Sequence, residues 1–117
     1  MKILFILNDP PYGTERCYNA LRLAIALQHR DPAVTLTVFL LADAVTAARS
    51  GQKPPEGYYN LARMLARVLS GDARVLLCGS CMDARGLTDA ELLPNARRSS
   101  MDELAAETLT AERVIVF

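Results

Sequence analysis

The stretch VLLCGSCMDARGL, residues 75–87, carries the side chains best suited to chemistry in this sequence. It sets two thiols, Cys78 and Cys81, at the end of an apolar run and the start of a helical stretch. A thiolate is both a nucleophile and a metal ligand, and its reactivity follows its pKa. The Cys-x-x-Cys spacing therefore admits a reactive pair, half of a zinc site, or core packing by small apolar residues. Gly79 gives the backbone freedom to turn directly after Cys78. Ser80 stands at capping-box distance from Asp83 and predicts a helix whose first turn holds Cys81, where the dipole favours an anion. Gly86 is predicted to end that helix. Arg85 is expected to add positive charge to the site, and Asp83 to oppose it.

Zinc needs four ligands, or three and a water. The remaining candidates are Cys17 and His29, and a helix places residues twelve apart about 18 Å from each other. There is no second Cys-x-x-Cys, so zinc is not expected. His29 reads as a surface residue near a helix C-terminus. Cys17 belongs to an apolar stripe and reads as a small buried residue, with approach to Cys78 as a third thiol the sharper alternative. Asp9 and Asp43 fall near one edge, as an acid–base pair or as loop caps. Arg97 and Arg98 read as a solvated face. The loop NDPPYGTER lacks the glycine and hydroxyl pattern of a phosphate cradle, so no nucleotide or flavin cofactor is expected. With one histidine, no Ser-His-Asp constellation can be assembled.

The elements that must position these thiols follow from apolar patterning. KILFIL (2–7) is a continuous apolar run suited to a strand buried on both faces. NDPPYG is a loop, and Thr14 with Glu15 predicts a helix to about Arg30, its stripe being Cys17, Ala20, Leu21, Ala24 and Leu27. TLTVFLL (35–41) is a second strand. The long segment 42–57 has room for a short helical turn, and connections of that length usually serve function or an interface. A helix is predicted over 58–69, and ARVLLC (73–78) is the third strand. A weak strand passes near Ala96 and Arg97. Ser100 and Glu103 predict a capping box for a helix with Met101, Leu104, Ala105 and Thr108 on one side, and RVIVF (113–117) closes the chain as a strand. Strands alternating with helices imply an α/β fold with a mostly parallel sheet of about five strands and helices on both faces. Such folds keep their chemistry beyond the carboxyl ends of the strands, where Cys78 falls.

Composition bounds the rest. A chain of 117 residues with 51 % hydrophobic and 22 % charged side chains is one globular domain, 1–117, with a core of its own. Thirteen basic and thirteen acidic residues cancel, which leaves no electrostatic footprint for nucleic acid or an anionic membrane. No segment reaches the ~18 apolar residues of a membrane span, and MKILFIL is too short for a signal peptide. A cytoplasmic location is expected, in which three cysteines do not form a structural disulfide framework.

Four stretches together resemble one family: PYGTERCYNALRLAIAL (11–27), FLLADAVTAARSGQKPPEGYYN (39–60), LCGSCMDARGL (77–87) and SSMDELAAETLTAERVIVF (99–117). They are similar to the DsrE/DsrF-like family and, within it, to the YchN-like branch, over nearly the whole chain. The resemblance implies a YchN-like, flavodoxin-like three-layer sandwich and a homo-oligomer, trimeric or hexameric. It also implies that a cysteine ending the third strand, before a short helix and its Arg-Gly, carries sulfur as a persulfide. Cys78, followed by Arg85 and Gly86, matches that position, whereas Cys81 resembles the YchN-like branch and Cys17 departs from the family pattern.

The leading expectation is a cysteine-based sulfur carrier, a sulfurtransferase-like step in a relay between donor and acceptor proteins. Cys78 is its nucleophile, Cys81 its auxiliary thiol, and Arg85 stabilises the thiolate. A dithiol module cycling between thiols and a Cys78–Cys81 disulfide is the second reading. It lacks the tryptophan and the intervening proline of thioredoxin-like sites. An oligomeric binding or assembly protein with inert thiols is the third.

Overall fold

The computed structural model describes the whole chain, Met1–Phe117. Its centre is a sheet of five parallel strands in the order β4-β3-β2-β1-β5. The strands are β1 (Lys2–Leu7), β2 (Thr35–Leu40), β3 (Ala73–Cys78), β4 (Ala96–Ser99) and β5 (Arg113–Val116). The helices are α1 (Arg16–Arg30), α2 (Leu61–Leu69), α3 (Gly79–Ala84) and α4 (Met101–Thr110). A 3-10 segment, Ala42–Ala48, follows β2, and a second, Asp89–Glu91, precedes β4. The weak strand near Ala96 is real, and it forms the edge beside β3.

Apolar runs form the central strands because both of their faces are covered. Leu4, Phe5, Leu7, Leu36, Val38, Phe39, Leu40, Val75 and Leu77 lose all contact with solvent. Each such large side chain contributes about 1.5–3 kcal/mol relative to an exposed position. Helix α1 buries Cys17, Ala20, Leu21 and Ala24, four of the five stripe residues, and Leu27 is half-buried. Its start differs from expectation. Glu15 is the N-cap residue, and the Thr14 hydroxyl only weakly accepts from the Arg16 N–H at 3.4 Å. Helix α2 begins at Leu61, because the Asn60 side chain accepts from the Arg63 N–H and caps it there. The two tyrosines before it stay in the loop.

Helix α4 lies on the opposite face of the sheet and is seated differently from the predicted stripe. Leu104 is buried, but Met101, Ala105 and Thr108 are exposed, and the second buried residue is Glu107. The cause is polar. Thr37 Oγ1 donates to the Glu107 carboxylate at 3.1 Å, Arg74 Nη2 donates at 2.6 Å, and Lys2 Nζ stands 3.4 Å away. Three strands thus hold one carboxylate, and the helix turns that residue inward. The Ser100 side chain caps α4 by accepting from the Glu103 N–H at 3.1 Å. The reciprocal half of the predicted box is missing, because the Glu103 carboxylate is taken by Arg97 and the Ser99 hydroxyl.

The chain steps from β1 through β4 in one direction and then returns to place β5 beside β1. All parallel strands end on the same edge, which receives the loop after β1, the segment from Leu41 to Asn60 and the start of α3. Cys78 is the last residue of β3 on that edge.

Candidate functional site

Strand β3 delivers Cys78 to the edge, and α3 begins on the next residue. Helix α3 therefore starts earlier than predicted, with Cys78 as its N-cap residue and Ser80 in its first turn. There is no Ser80–Asp83 capping box. The Ser80 hydroxyl instead lies 3.2 Å from Cys78 Sγ, and the Asp83 carboxylate is held by Arg98. Gly79 is required for a different reason from the one expected. A Cβ there would stand 2.9 Å from Arg98 Nε and 3.0 Å from the Ser99 carbonyl oxygen. The left-handed residue is Gly86, with φ +63°, and it follows the end of the helix as predicted.

The two thiols are close but differently placed. Cys78 is 4 % exposed and Cys81 is half-buried. Burial opposes ionisation of Cys78. Hydrogen bonding to the Ser80 hydroxyl and the Cys81 thiol, with the N–H groups of Cys81 and Ser80, outweighs burial and holds its pKa below the ordinary thiol value. Cys81 moves the other way. Burial and the neighbouring Cys78 raise its pKa, against the opposing pull of the Ala42 N–H and Arg85. The Ala42 N–H donates to Cys81 Sγ at 3.3 Å, from a residue with φ +50°. An alanine in that left-handed conformation costs about 1–2 kcal/mol, so the turn after β2 is held in place by its surroundings.

The charges are arranged otherwise than the sequence suggested. Arg85 donates through Nε to Asp43 at 2.8 Å and through Nη1 to the Cys81 carbonyl at 3.1 Å, so it serves the Cys81 side of the site. Arg97 and Arg98 are both exposed, as expected, but Arg98 is also tied to α3. It grips Asp83 through both terminal nitrogens, at 2.9 and 2.6 Å, and lies against Gly79. Asp83, expected to oppose a thiolate, is neutralised by that grip. Arg97, the next residue along β4, pairs with Glu103 of α4. Successive strand residues point to opposite faces, so Arg97 and Arg98 never shared one surface.

The other candidates lie apart from this pair. Cys17 is fully buried, and its thiol donates to the Asp9 carbonyl at 3.0 Å. Burial, with help from the Asp9 charge, pushes its pKa from 9.0 to about 12. Asp9 and Asp43 do not form an acid–base pair: Asp9 accepts from the Thr14 hydroxyl and sits 3.6 Å from Arg16, while Asp43 belongs to Arg85. His29 is exposed in the last turn of α1. No three histidine, cysteine, aspartate or glutamate side chains converge as a metal site would require. No helix is long and apolar enough to cross a membrane.

All four tyrosines of the chain gather on the same edge as a stack. Tyr12 anchors it, accepting from the Leu61 N–H at 3.1 Å and donating to Gln52 at 2.8 Å. The Gln52 amide in turn donates to the Ala47 and Arg49 carbonyls, each at 2.8 Å, which folds the long segment after β2 back on itself.

The chain is 42 % identical to Protein YchN of Escherichia coli over 116 residues, covering 99 % of this chain and 98 % of that one. The crystal structure of the E. coli ychN protein superposes with a TM-score of 0.94 at the same identity, over 99 % of this chain and 98 % of that chain. Sulfurtransferase TusD of Pectobacterium carotovorum is 30 % identical over 126 aligned positions, covering 96 % of this chain and 95 % of that protein. The model of the DsrE/DsrF-like family matches residues 1–117 in full, and the chain belongs to that family.

Proposed function

We propose that this protein is a sulfur carrier in a relay, with Cys78 as the residue that accepts and passes on the sulfur. The observation that carries the reading is the contrast within the Cys-x-x-Cys pair: Cys78 is the thiol whose neighbours favour the thiolate, on the edge where such folds keep their chemistry. Similarity to proteins named sulfurtransferases supports the class of reaction.

The step balances without an added oxidant. The Cys78 thiolate attacks the outer sulfur of a donor persulfide, R–S–SH. The new Cys78–S–SH bond forms as the donor's S–S bond breaks, and the donor leaves as the thiolate R–S⁻. An acceptor thiolate then attacks the outer sulfur, takes it as its own persulfide and returns Cys78 to the thiolate. Ser80 and the N–H groups beside it stabilise the charge on Cys78 before attack and after release. Cys81, held protonated, is the auxiliary thiol. It donates to the Cys78 sulfur, and burial first and then Cys78 disfavour its own anion.

The contact between the two thiols also favours a second reading, a dithiol module that closes a Cys78–Cys81 disulfide. Intact-protein mass spectrometry after incubation with a low-molecular-weight persulfide separates the two. A gain of about one sulfur mass, abolished by Cys78→Ser and kept by Cys81→Ser, is the outcome of the carrier. No sulfur gain, with a loss of two hydrogens under mild oxidant that needs both cysteines, is the outcome of the dithiol module.

A homo-oligomer, trimeric or hexameric, completes the proposal, acting in a reducing compartment. Val114 and Val116 share the face of Leu4 and Thr37 by register, the face on which α4 lies. They are 43 % and 64 % exposed, and Leu109 of α4 is 87 % exposed. An apolar edge of this kind is typical of association surfaces. Light scattering on wild type and on Leu109→Glu/Val116→Glu checks it, with a smaller particle expected for the variant.

A further inference from the structure

The Cys81 sulfur has a partner far from it in sequence. Strand β2 ends at Leu40, and two residues later the Ala42 N–H donates to Cys81 Sγ at 3.3 Å. Ala42 makes this contact from a left-handed conformation, φ +50°, that alanine avoids unless its surroundings impose it. The next residue supplies a restraint. Asp43 accepts from Arg85 Nε at 2.8 Å, and the same guanidinium donates through Nη1 to the Cys81 carbonyl at 3.1 Å. Cys81 is thus tied to two consecutive residues of one turn, by its sulfur to Ala42 and by its carbonyl, through Arg85, to Asp43. We propose that Asp43 is a positioning residue of the Cys81 thiol: through Arg85 it locks the turn after β2 against α3, so that the Ala42 N–H stays on the sulfur. The inference rests on the carrier reading for the role of Cys81 as the auxiliary thiol.

The other bonds of the turn do not reach α3. The Leu41 N–H donates to the Leu7 carbonyl at 2.9 Å and anchors the turn to β1, and the Ala44 N–H donates to the Leu41 carbonyl at 3.0 Å within the turn itself. The hydrogen bonds that join the turn to α3 are the one from Ala42 to Cys81 and the one from Arg85 to Asp43. The charged and titratable groups facing Cys81 are Cys78 at the end of β3, Arg85 on its own helix and Asp43 from the turn. Asp83, also on α3, is taken by Arg98. Asp43 can therefore act on Cys81 with either of two signs. As a negative charge it would hinder ionisation of the thiol, and its removal would ease it. As a positioning residue it keeps a donor on the sulfur, and its removal would make ionisation harder. The residue type of Arg85 fits the second role: a planar guanidinium can hold a carboxylate and a carbonyl from different nitrogens, whereas an ammonium is a single point charge.

The test reads the pH dependence of Cys81 alkylation by iodoacetamide in full-length protein carrying Cys78→Ser, so that no modification of Cys78 disturbs its neighbour. Asp43→Ala, Asp43→Asn and Arg85→Lys are added to that background, and each profile is scaled to its own alkaline plateau, which removes changes in access. Asp43→Ala is expected to move the Cys81 midpoint upward and slow its alkylation near neutral pH by about threefold, half a pKa unit. Asp43→Asn keeps an oxygen that can accept from Arg85 and should recover most of that loss. Arg85→Lys should move the midpoint in the same direction as Asp43→Ala with no charge removed, because the fork is lost. Circular dichroism of each variant separates these effects from unfolding. An unmoved or lowered midpoint in folded Asp43→Ala, or in Arg85→Lys where Asp43→Ala does not fold, would overturn the proposal. Sulfur uptake is measured with the same substitutions in protein that keeps Cys78. A raised Cys81 midpoint in a protein that takes up no sulfur upholds Asp43 as the positioning residue and removes the carrier reading alone.

Discussion

Cys17 and Cys78 make an instructive pair. Both are buried, and both stand at the beginning of a helix on the same edge of the sheet. Burial opposes ionisation of each. Around Cys17 nothing answers it: the thiol's partner is the Asp9 carbonyl, an acceptor, and the nearby charge is the Asp9 carboxylate. Around Cys78 the partners are a hydroxyl, a second thiol and two N–H groups, all able to donate to an anion. A thiol facing acceptors is kept neutral, and a thiol facing donors is helped to ionise. The lesson is that exposure does not sort these cysteines; the donor or acceptor character of their neighbours does. A rise from 9.0 to about 12 leaves Cys17 with about a thousandfold less thiolate than an ordinary thiol at neutral pH.

Substitution breaks the comparison most sharply. Cys78→Ser should abolish sulfur uptake, while Cys17→Ser should leave it at the wild-type level, as mass spectrometry after persulfide treatment will read. Stability separates the two residues next. Because the folded-state pKa of Cys17 is raised, its neutral thiol stabilises the fold fully below pH 9.0 and loses that contribution as pH rises toward about 12. Cys17→Ser should therefore flatten the alkaline loss of stability over that window in urea titrations. At neutral pH it should cost about 1–2 kcal/mol for burying a more polar group that keeps one hydrogen bond. Cys78 has the opposite sign, so its substitution should not flatten the alkaline limb. A smaller effect is expected from Ser80→Ala, which removes one donor from Cys78 and should slow its alkylation near neutral pH by about threefold, half a pKa unit. The smallest is Asp9→Asn. It removes the lesser of the two causes that silence Cys17 and leaves burial intact, so Cys17 should stay unreactive in the folded protein.

Much of this arrangement was legible in the sequence, and the rest was hidden for definite reasons. The apolar runs of β1, β2 and β3 and the placement of Cys78 at a strand end follow from patterning alone, because strands buried on both faces leave a continuous signal. The seating of α4 did not, because its inward residue is Glu107. A periodicity argument turns an apolar stripe inward and cannot anticipate a carboxylate held by Thr37, Arg74 and Lys2 from three different strands. Residues around Cys78 divide in the same way. Ser80 and Arg85 are near it in sequence and stood out, but Ser80 as a cap paired with Asp83 rather than as the partner of Cys78, and Arg85 serves Cys81. Arg98 reaches the site from another strand, and only the pairing of β4 with β3 brings it there. Gly79 was legible as a glycine that mattered, but its reason, the guanidinium lying against it, belongs to tertiary structure.

The central claim is that the surroundings rank three thiols in one chain. Site-resolved alkylation across pH, with all three cysteines followed by peptide mass spectrometry in a single sample of wild-type protein, tests it most directly. Cys78 is expected to be modified with the lowest midpoint, Cys81 with a higher one, and Cys17 only once the protein unfolds. Cys81 titrating at or below Cys78, or Cys17 reacting alongside them in the folded protein, would contradict the account.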